Sequence, residues 1–268
     1  MVRFLKSVGM FIKLAAIFAF GGLELAVKRP ATRAQRAEWL HQFCARAVRA
    51  MGIVARQQGT FPERGMVISN HMGYLDIMVF AALHRCVFVS KSEIRDWFFI
   101  GWMTTMSGTV YVERGRGGSA AEAKGRMQSV VEEGLPVVFF PEGTSSDGTT
   151  VLKFHSGLLG DALEARQPVT AAFVRYRLTE DNGPGVTVPG HVAYWDDTPL
   201  LKHIFRLVAL RGIEVDVRFA DSPIAFSADA SHRKQAAIEA RAAVMALGGI
   251  VGADAERTQP LDRAALLS

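Results

Sequence analysis

Short apolar runs alternate with segments of helical periodicity over most of the chain. The runs that predict strands are residues 66–69, 87–90, 109–113, 137–140, 169–174, 191–195 and 213–219. Helix-like segments lie between them, near residues 74–84, 93–106, 119–133, 157–166, 199–209 and 229–247. Such alternation is typical of a sheet that helices cover. The pattern predicts an α/β fold for residues 55–250: a single domain with a central mixed, largely parallel sheet flanked by helices.

The first quarter of the chain has a different pattern. Residues 4–27 are mostly apolar, but their longest charge-free run, residues 14–23, has only ten residues. A membrane-spanning helix needs about twenty. Residues 34–51 follow with apolar positions on one helix face and basic positions on the other. We therefore expect residues 1–54 to form apolar and amphipathic helices that lie in the membrane interface, with one tilted span as the alternative.

Charge and composition support a membrane surface as the partner of this segment. The chain has a net charge of +5, but residues 1–65 carry eleven Lys/Arg against three Asp/Glu, so the remainder is slightly acidic. Positive charge beside apolar helices suits anionic lipid headgroups on the cytoplasmic face of the inner membrane. No nucleic-acid-binding signature accompanies it. Two cysteines exclude a disulfide framework or a four-thiolate zinc site, and a polar tail covers residues 251–268.

Candidate catalytic residues follow the first predicted strand of the body. His71 leaves the end of residues 66–69, and Asp76 comes five residues later, near the start of a predicted helix. Imidazole is the natural general base at neutral pH, and a carboxylate can orient it and stabilise the imidazolium. A structural histidine beside a helix-capping aspartate is the alternative interpretation of this pair.

Two further strand ends carry residues suited to an anionic ligand. Glu142, Gly143 and Thr144 follow residues 137–140, where backbone amides and a hydroxyl can surround an oxyanion. Arg114 follows residues 109–113 and has the chemistry of a phosphate clamp. An ordinary turn and a surface salt bridge are the alternatives.

These segments resemble the glycerolipid acyltransferases, a group typified by the 1-acylglycerol-3-phosphate acyltransferases. NHMGYLD (residues 70–76) matches the NHxxxxD motif, TVYVER (109–114) the second motif, and FPEGTSS (140–146) the third, usually FPEGTRS. QPVTAA (167–172) lies where a fourth, proline-containing segment is expected, but its proline is misplaced, so no role is carried onto it. The resemblance covers about residues 55–220.

The resemblance implies transfer of a fatty acyl group from acyl-carrier protein or acyl-CoA to the hydroxyl of a lyso-lipid, without a metal or cofactor. It implies catalysis by His71 and Asp76, and substrate binding by Arg114 and the Glu142–Thr144 segment. The first acceptor it suggests is 1-acyl-sn-glycerol-3-phosphate, which would yield phosphatidate. Ser145 stands where the family has arginine, so lyso-ornithine lipid or another lysophospholipid is the alternative acceptor.

Two other classes of protein compete with this interpretation. An esterase of the α/β-hydrolase type needs a Gly-x-Ser-x-Gly elbow, which the chain lacks. A non-enzymatic membrane-binding module would account for residues 1–54. It would leave unexplained why His71, Asp76 and the Glu-Gly-Thr turn occur together.

Overall fold

The computed structural model describes residues 2–96, 98–112, 119–227 and 232–250, and the elements counted here lie within them. The strands are β1 (Val54–Gln58), β2 (Met66–Ile68), β3 (Val87–Lys91), β4 (Val110–Val112), β5 (Val137–Phe139), β6 (Val169–Leu178) and β7 (Ile213–Phe219). The α-helices are α1 (Val2–Lys28), α2 (Arg33–Ala50), α3 (Tyr74–Leu83), α4 (Phe98–Met106), α5 (Ser119–Glu132), α6 (Ser156–Glu164), α7 (Val188–His191), α8 (Leu200–Leu207) and α9 (Arg233–Gly248), and a 3₁₀ helix covers Ser92–Asp96.

All seven strands form one sheet in the order β1-β7-β6-β2-β5-β3-β4. Strands β6, β2, β5, β3 and β4 are mutually parallel, β7 is antiparallel to β6, and β1 pairs in parallel with β7. The predicted mixed, largely parallel sheet is therefore confirmed. Because Ile68 lies opposite both Phe139 and Ala171, the carboxyl ends of β2 and β5 open onto the same edge of the sheet.

Helices cover both faces of the sheet, as the continuous apolar strands require. Val67 of β2 belongs to a core that includes residues of α2 and α3. Its neighbours Met66 and Ile68 point to the other face, into a core that includes residues of α5, α6 and α9. Successive side chains of this three-residue strand therefore enter cores on opposite faces, and the sheet is the middle of three layers.

Helix α1 packs on the core that includes residues of α2 and α3. Leu14 and Leu25 are buried, and an added Cβ at Gly21 would lie 2.6 Å from a Phe43 ring carbon, so the glycine permits close packing on α2. The opposite side of the helix stays apolar yet exposed, from Ile12 (62%) to Val27 (73%). By length and composition the segment Ser7–Lys28 is able to cross a membrane.

Two details of the predicted strand pattern are wrong. Residues 191–195 form no strand, because Thr187 caps the short helix α7 and the chain then continues as a loop. Strand β1 was not predicted, because its sequence VARQQ is largely polar and exposed at the edge of the sheet. Edge strands need only one partner and one buried face, which weakens their sequence signal.

Candidate active site

The first motif folds as a tight connection between β2 and α3. After Ile68 the chain runs through His71 and enters α3 at Tyr74, so Asp76 lies in the first helical turn. His71 Nδ1 and Asp76 Oδ2 are 2.9 Å apart. The structure thus brings together the two residues that the motif singles out, at the carboxyl edge of the sheet where ligands of open α/β folds bind.

The carboxyl group of Asp76 is completely buried and surrounded by donors. Its Oδ2 accepts hydrogen bonds from the backbone N–H groups of Met72 (2.6 Å) and Gly73 (3.0 Å) as well as facing the imidazole. Its Oδ1 accepts a bond from the hydroxyl of Tyr176 at 2.8 Å. An ionised carboxylate is an acceptor only, so this set of partners matches the charged form.

The imidazole of His71 is fixed on two sides. Asp76 accepts from Nδ1, which places the tautomeric proton there and leaves Nε2 as the ring nitrogen that can take up a proton. The ring also stacks on Phe140, with centroids 4.0 Å apart and an interplanar angle of 14°. The side chain keeps 17% of its surface exposed. Nε2 has no hydrogen-bond partner within the described parts of the chain.

Gly73 is required by the shape of this connection. Its φ is 144°, and a Cβ added there would lie 2.9 Å from Cβ of Tyr194. A side chain at this position would therefore push the loop around Tyr194 away or displace the N–H that Asp76 accepts. The second residue after the motif histidine is thus set by packing as well as by backbone conformation.

Glu142 contacts the backbone of the histidine. Only 2% of its surface is exposed. One carboxylate oxygen accepts from the N–H of His71 at 2.8 Å, and the other accepts from the N–H of Leu152 at 2.9 Å. Burial raises its pKa to about 8, against the opposing effect of these two amides. This geometry suits a residue that positions His71; direct contact with substrate stays a prediction.

The rest of the third motif lies beside the same histidine. Gly143 turns the chain with a φ of 66°, and Thr144 is partly exposed. Ser146 donates its backbone N–H to the carbonyl of His71 at 2.8 Å. The Glu142–Thr144 segment and the imidazole therefore share one edge of the sheet, as the motif spacing predicts.

Ser145, which stands where the family has arginine, makes a hydrogen bond within the protein. Its hydroxyl donates to the carbonyl of Tyr194 at 2.6 Å. Tyr194 in turn donates its N–H to the carbonyl of Met72 at 2.7 Å. The serine thus joins the third motif to the loop that packs on Gly73, and no cation stands at this position.

Arg114 lies outside the described residues. Strand β4 ends at Val112, and because β4 is parallel to β3 and β3 to β5, its carboxyl end lies at the same edge of the sheet as theirs. The headgroup contact of Arg114 stays a prediction. Within the described ranges, no group of three or more His, Cys, Asp or Glu side chains is placed to hold a metal ion.

Comparison with known proteins agrees with the motifs. Residues 52–175 match the family model described as Acyltransferase. This segment belongs to the acyltransferase family. The match covers β2, α3 and β5, and with them His71, Asp76 and Glu142, so the site described above is the one that the family region carries.

Two named relatives and one solved structure extend the comparison. The lyso-ornithine lipid O-acyltransferase of Pseudomonas aeruginosa is 34% identical over 175 residues, 65% of this chain and 63% of that protein. The 1-acyl-sn-glycerol-3-phosphate acyltransferase of Neisseria gonorrhoeae is 29% identical over 166 residues, 62% of this chain and 63% of that protein. Both alignments thus span less than two thirds of the relative. The crystal structure of the 1-acyl-sn-glycerophosphate acyltransferase of Thermotoga maritima superposes with a TM-score of 0.61 at 18% identity, covering 94% of this chain and 97% of that one, and shows the shared fold.

Two residues of this site, Tyr176 and Arg241, lie outside the motifs, and a third, Asn70, is a motif residue for which the sequence predicted no role. Tyr176 reaches Asp76 from β6, one hundred residues away. Arg241 of α9 donates to the carbonyls of Val151 and Leu152, and so holds the loop whose N–H binds Glu142. The side chain of Asn70 bonds both backbone groups of Val174, at 2.8 and 3.0 Å, and extends the pairing of β2 with β6.

The sequence contains a weak indication of one of these residues, Tyr176. Tyr176 follows an apolar strand run, residues 169–174, at a spacing that places it on the same face as Ala172 and Val174. A tyrosine buried in a strand needs a partner for its hydroxyl. The sequence offers no means of choosing Asp76 as that partner.

Glu142 gives the fold a pH dependence of predictable sign. Since its folded-state pKa is about 8 against a usual 4.5, the folded protein retains a proton that the unfolded chain releases as the pH rises between these values. The free energy of unfolding should therefore fall across that interval, by up to about 1.4 kcal/mol per pH unit from this group. Urea denaturation between pH 5 and 8 measures it.

Glu142→Gln should flatten this slope relative to the unmodified protein, although it also lowers stability because an amide NH₂ faces a backbone donor. Glu63→Gln, which neutralises an exposed glutamate, should leave the slope unchanged. Parallel slopes for the unmodified protein and Glu142→Gln would show that Glu142 is ionised throughout.

Proposed function

We propose that this protein is an O-acyltransferase that moves a fatty acyl group from a thioester to the free hydroxyl of a lyso-lipid. The observation that carries the proposal is the imidazole of His71, oriented by buried Asp76 at 2.9 Å, with no hydrogen-bond partner for Nε2 among the residues that the structure describes. It lies beside the Glu-Gly-Thr turn within the segment that belongs to the acyltransferase family. A non-enzymatic membrane-binding module has no need of this arrangement.

The tautomer of His71, with its proton on Nδ1, leaves Nε2 to act as the base of the reaction. Nε2 of His71 takes the proton of the acceptor hydroxyl while the oxygen attacks the thioester carbonyl. The tetrahedral intermediate then collapses, the C–S bond breaks, and the departing thiolate takes the proton back from the imidazolium. Asp76 stabilises the imidazolium during this cycle. General-base assistance of this kind contributes about 10²–10⁴ in rate. The donor is an acyl-carrier protein or CoA thioester, and the step needs no covalent acyl-enzyme.

Lyso-ornithine lipid is the acceptor that we favour. Relatives with that name from Pseudomonas aeruginosa and Rhodobacter capsulatus are 34% and 35% identical, whereas the Neisseria gonorrhoeae relative named for 1-acylglycerol-3-phosphate is 29% identical. The motif resemblance alone ranks these acceptors the other way. Ser145 supports the new order, because a hydroxyl bonded to a backbone carbonyl offers no charge to a phosphate monoester. The phosphate acceptor remains the second candidate, with Arg114 as its predicted contact.

We propose that α1 and α2 hold the enzyme on the cytoplasmic face of the inner membrane, so that both substrates stay in their bilayer. Contacts of α1 with other helices extend along most of its length, from Phe11 on Phe205 of α8 to Glu24 on Arg46 of α2. Because one side of α1 packs on the protein along most of its length, we place the helix in the membrane interface with its exposed apolar side in lipid. On this proposal, residues 1–54 associate with the membrane and residues 55–250 perform catalysis.

An acceptor panel tests the activity. Purified protein is incubated with a labelled acyl-thioester and lyso-ornithine lipid, lysophosphatidate or a neutral lysophospholipid, and the products are identified by mass spectrometry. We expect the highest kcat/KM with lyso-ornithine lipid, and a loss of about 10³ for His71→Ala, while His191→Ala in α7 keeps its rate. Thioester hydrolysis without transfer, no reaction, or an active His71→Ala variant would each contradict the proposal.

Tyr176 is expected to act as a positioning residue through Asp76. Tyr176→Phe removes the donor to Oδ1, so the carboxylate supports the imidazolium less well. We expect kcat to fall about tenfold with KM within about twofold of normal. Tyr111→Phe is the matched control, because its hydroxyl contacts Thr104 and Thr105 away from the site. Equal kcat values for the two variants would assign Tyr176 a structural role only.

A further inference from the structure

A groove of about 450 Å³ lies where α1 ends, α2 begins and α4 packs nearby. Leu25, Arg29, Arg36, Trp102 and Met106 are among the residues that line it. Its volume falls within the range of small-ligand sites, about 300–1,000 Å³. The mixture of two cations with apolar and aromatic side chains matches an amphipathic anion.

The two arginines of the groove are held in place without being neutralised. Arg29 Nε donates to the carbonyl of Ala26 at 3.2 Å, and Arg36 Nε donates to the carbonyl of Pro30 at 3.1 Å. Within the described parts of the chain neither guanidinium has a carboxylate partner, so both retain terminal N–H groups for a ligand. Paired guanidinium forks of this kind match phosphate oxygens.

Neighbouring cations on the same two helices are paired. Lys28 Nζ lies 2.6 Å from Glu24, and Arg33 Nη1 lies 2.7 Å from Glu133. Arg29 also has a positive φ of 42° at the end of α1, a conformation for which glycine is the usual residue.

The groove lies at the carboxyl end of α1, whose exposed apolar side faces lipid in the proposed membrane position. Leu25 is fully buried at its base, and Trp102 is 38% exposed at its rim. Val27, two residues before Arg29, belongs to the exposed apolar side of α1 and is 73% exposed. Tryptophan and arginine at the end of an apolar helix mark the depth of lipid headgroups.

The groove is separate from the catalytic site. A Cβ added at Gly108 would lie 3.8 Å from Arg36 Cδ, so Arg36 lies next to the residue that leads into β4. This is the amino end of the parallel strands. His71 follows the carboxyl end of β2, at the opposite edge of the sheet. A ligand in the groove is therefore not the acceptor in its reactive position.

We propose that this groove binds the headgroup phosphate of an anionic glycerophospholipid, with Arg29 and Arg36 on the phosphate and Trp102 beside the glycerol and first acyl carbons. The bound lipid is a structural partner and is not consumed. Its site gives membrane attachment a selectivity for net negative lipids that apolar burial of α1 alone does not supply.

Calorimetric titration of the full chain in detergent tests the proposal with soluble probes. Dihexanoylphosphatidylglycerol is the lipid probe, and dihexanoylphosphatidylcholine and inorganic phosphate are the comparison arms. We expect saturable one-to-one binding of the anionic lipid, weakened about tenfold or more in Arg29→Gln/Arg36→Gln. The control Arg49→Gln/Arg64→Gln removes the same charge from exposed positions outside the groove and should bind normally. Circular dichroism monitors the folding of every variant, including the single variants Arg29→Gln and Arg36→Gln.

Four outcomes would overturn the proposal. Equal weakening in both double variants would show an effect of overall charge, and unchanged binding in Arg29→Gln/Arg36→Gln would place the lipid elsewhere. Equal affinity for the choline lipid would remove the selectivity for net negative charge. Equal affinity for inorganic phosphate would make the groove a free-anion site.

Discussion

A carboxylate removed from water has to be surrounded by donors, and the site of this protein is arranged around that requirement. Asp76 is completely buried and collects its donors from three places: the imidazole of His71, the backbone at the start of α3, and the hydroxyl of Tyr176 on β6. Satisfying this one group fixes the exit of β2, the first turn of α3 and a strand one hundred residues later. The orientation of His71, the proposed base, follows from these contacts of Asp76.

A second buried carboxylate fixes the same histidine from the other side. Glu142 accepts the N–H of His71 and the N–H of Leu152, and Arg241 of α9 holds the loop that carries Leu152. Two acids near one imidazole thus have separate tasks: one contacts the ring, and the other contacts the backbone. The raised pKa of Glu142 reflects its burial, and its position is more compatible with shaping the edge of the sheet than with meeting a ligand.

The sequence predicts best what is local. His71 and Asp76 are separated by one connection and one helical turn, so their spacing made the pair a candidate, and the motif resemblance favoured catalysis over a capping role. The apolar runs were sufficient to predict the mixed sheet. Partners distant in sequence, Tyr176 and Arg241, have no local signature because only the fold brings them to the site. The edge strand β1 was missed since polar residues dominate it, and residues 191–195 were misassigned because Thr187 and Pro189 begin a helix that extends to His191.

The coupling between His71 and Asp76 is the central claim, and a double-mutant cycle on acyl transfer measures it most directly. If Asp76 acts through the imidazole, Asp76→Asn should lose about 10²–10³ in kcat, and the double variant with His71→Ala should be no slower than His71→Ala alone, within about threefold. Losses that multiply in the double variant, or an Asp76→Asn variant with a normal rate, would contradict the account.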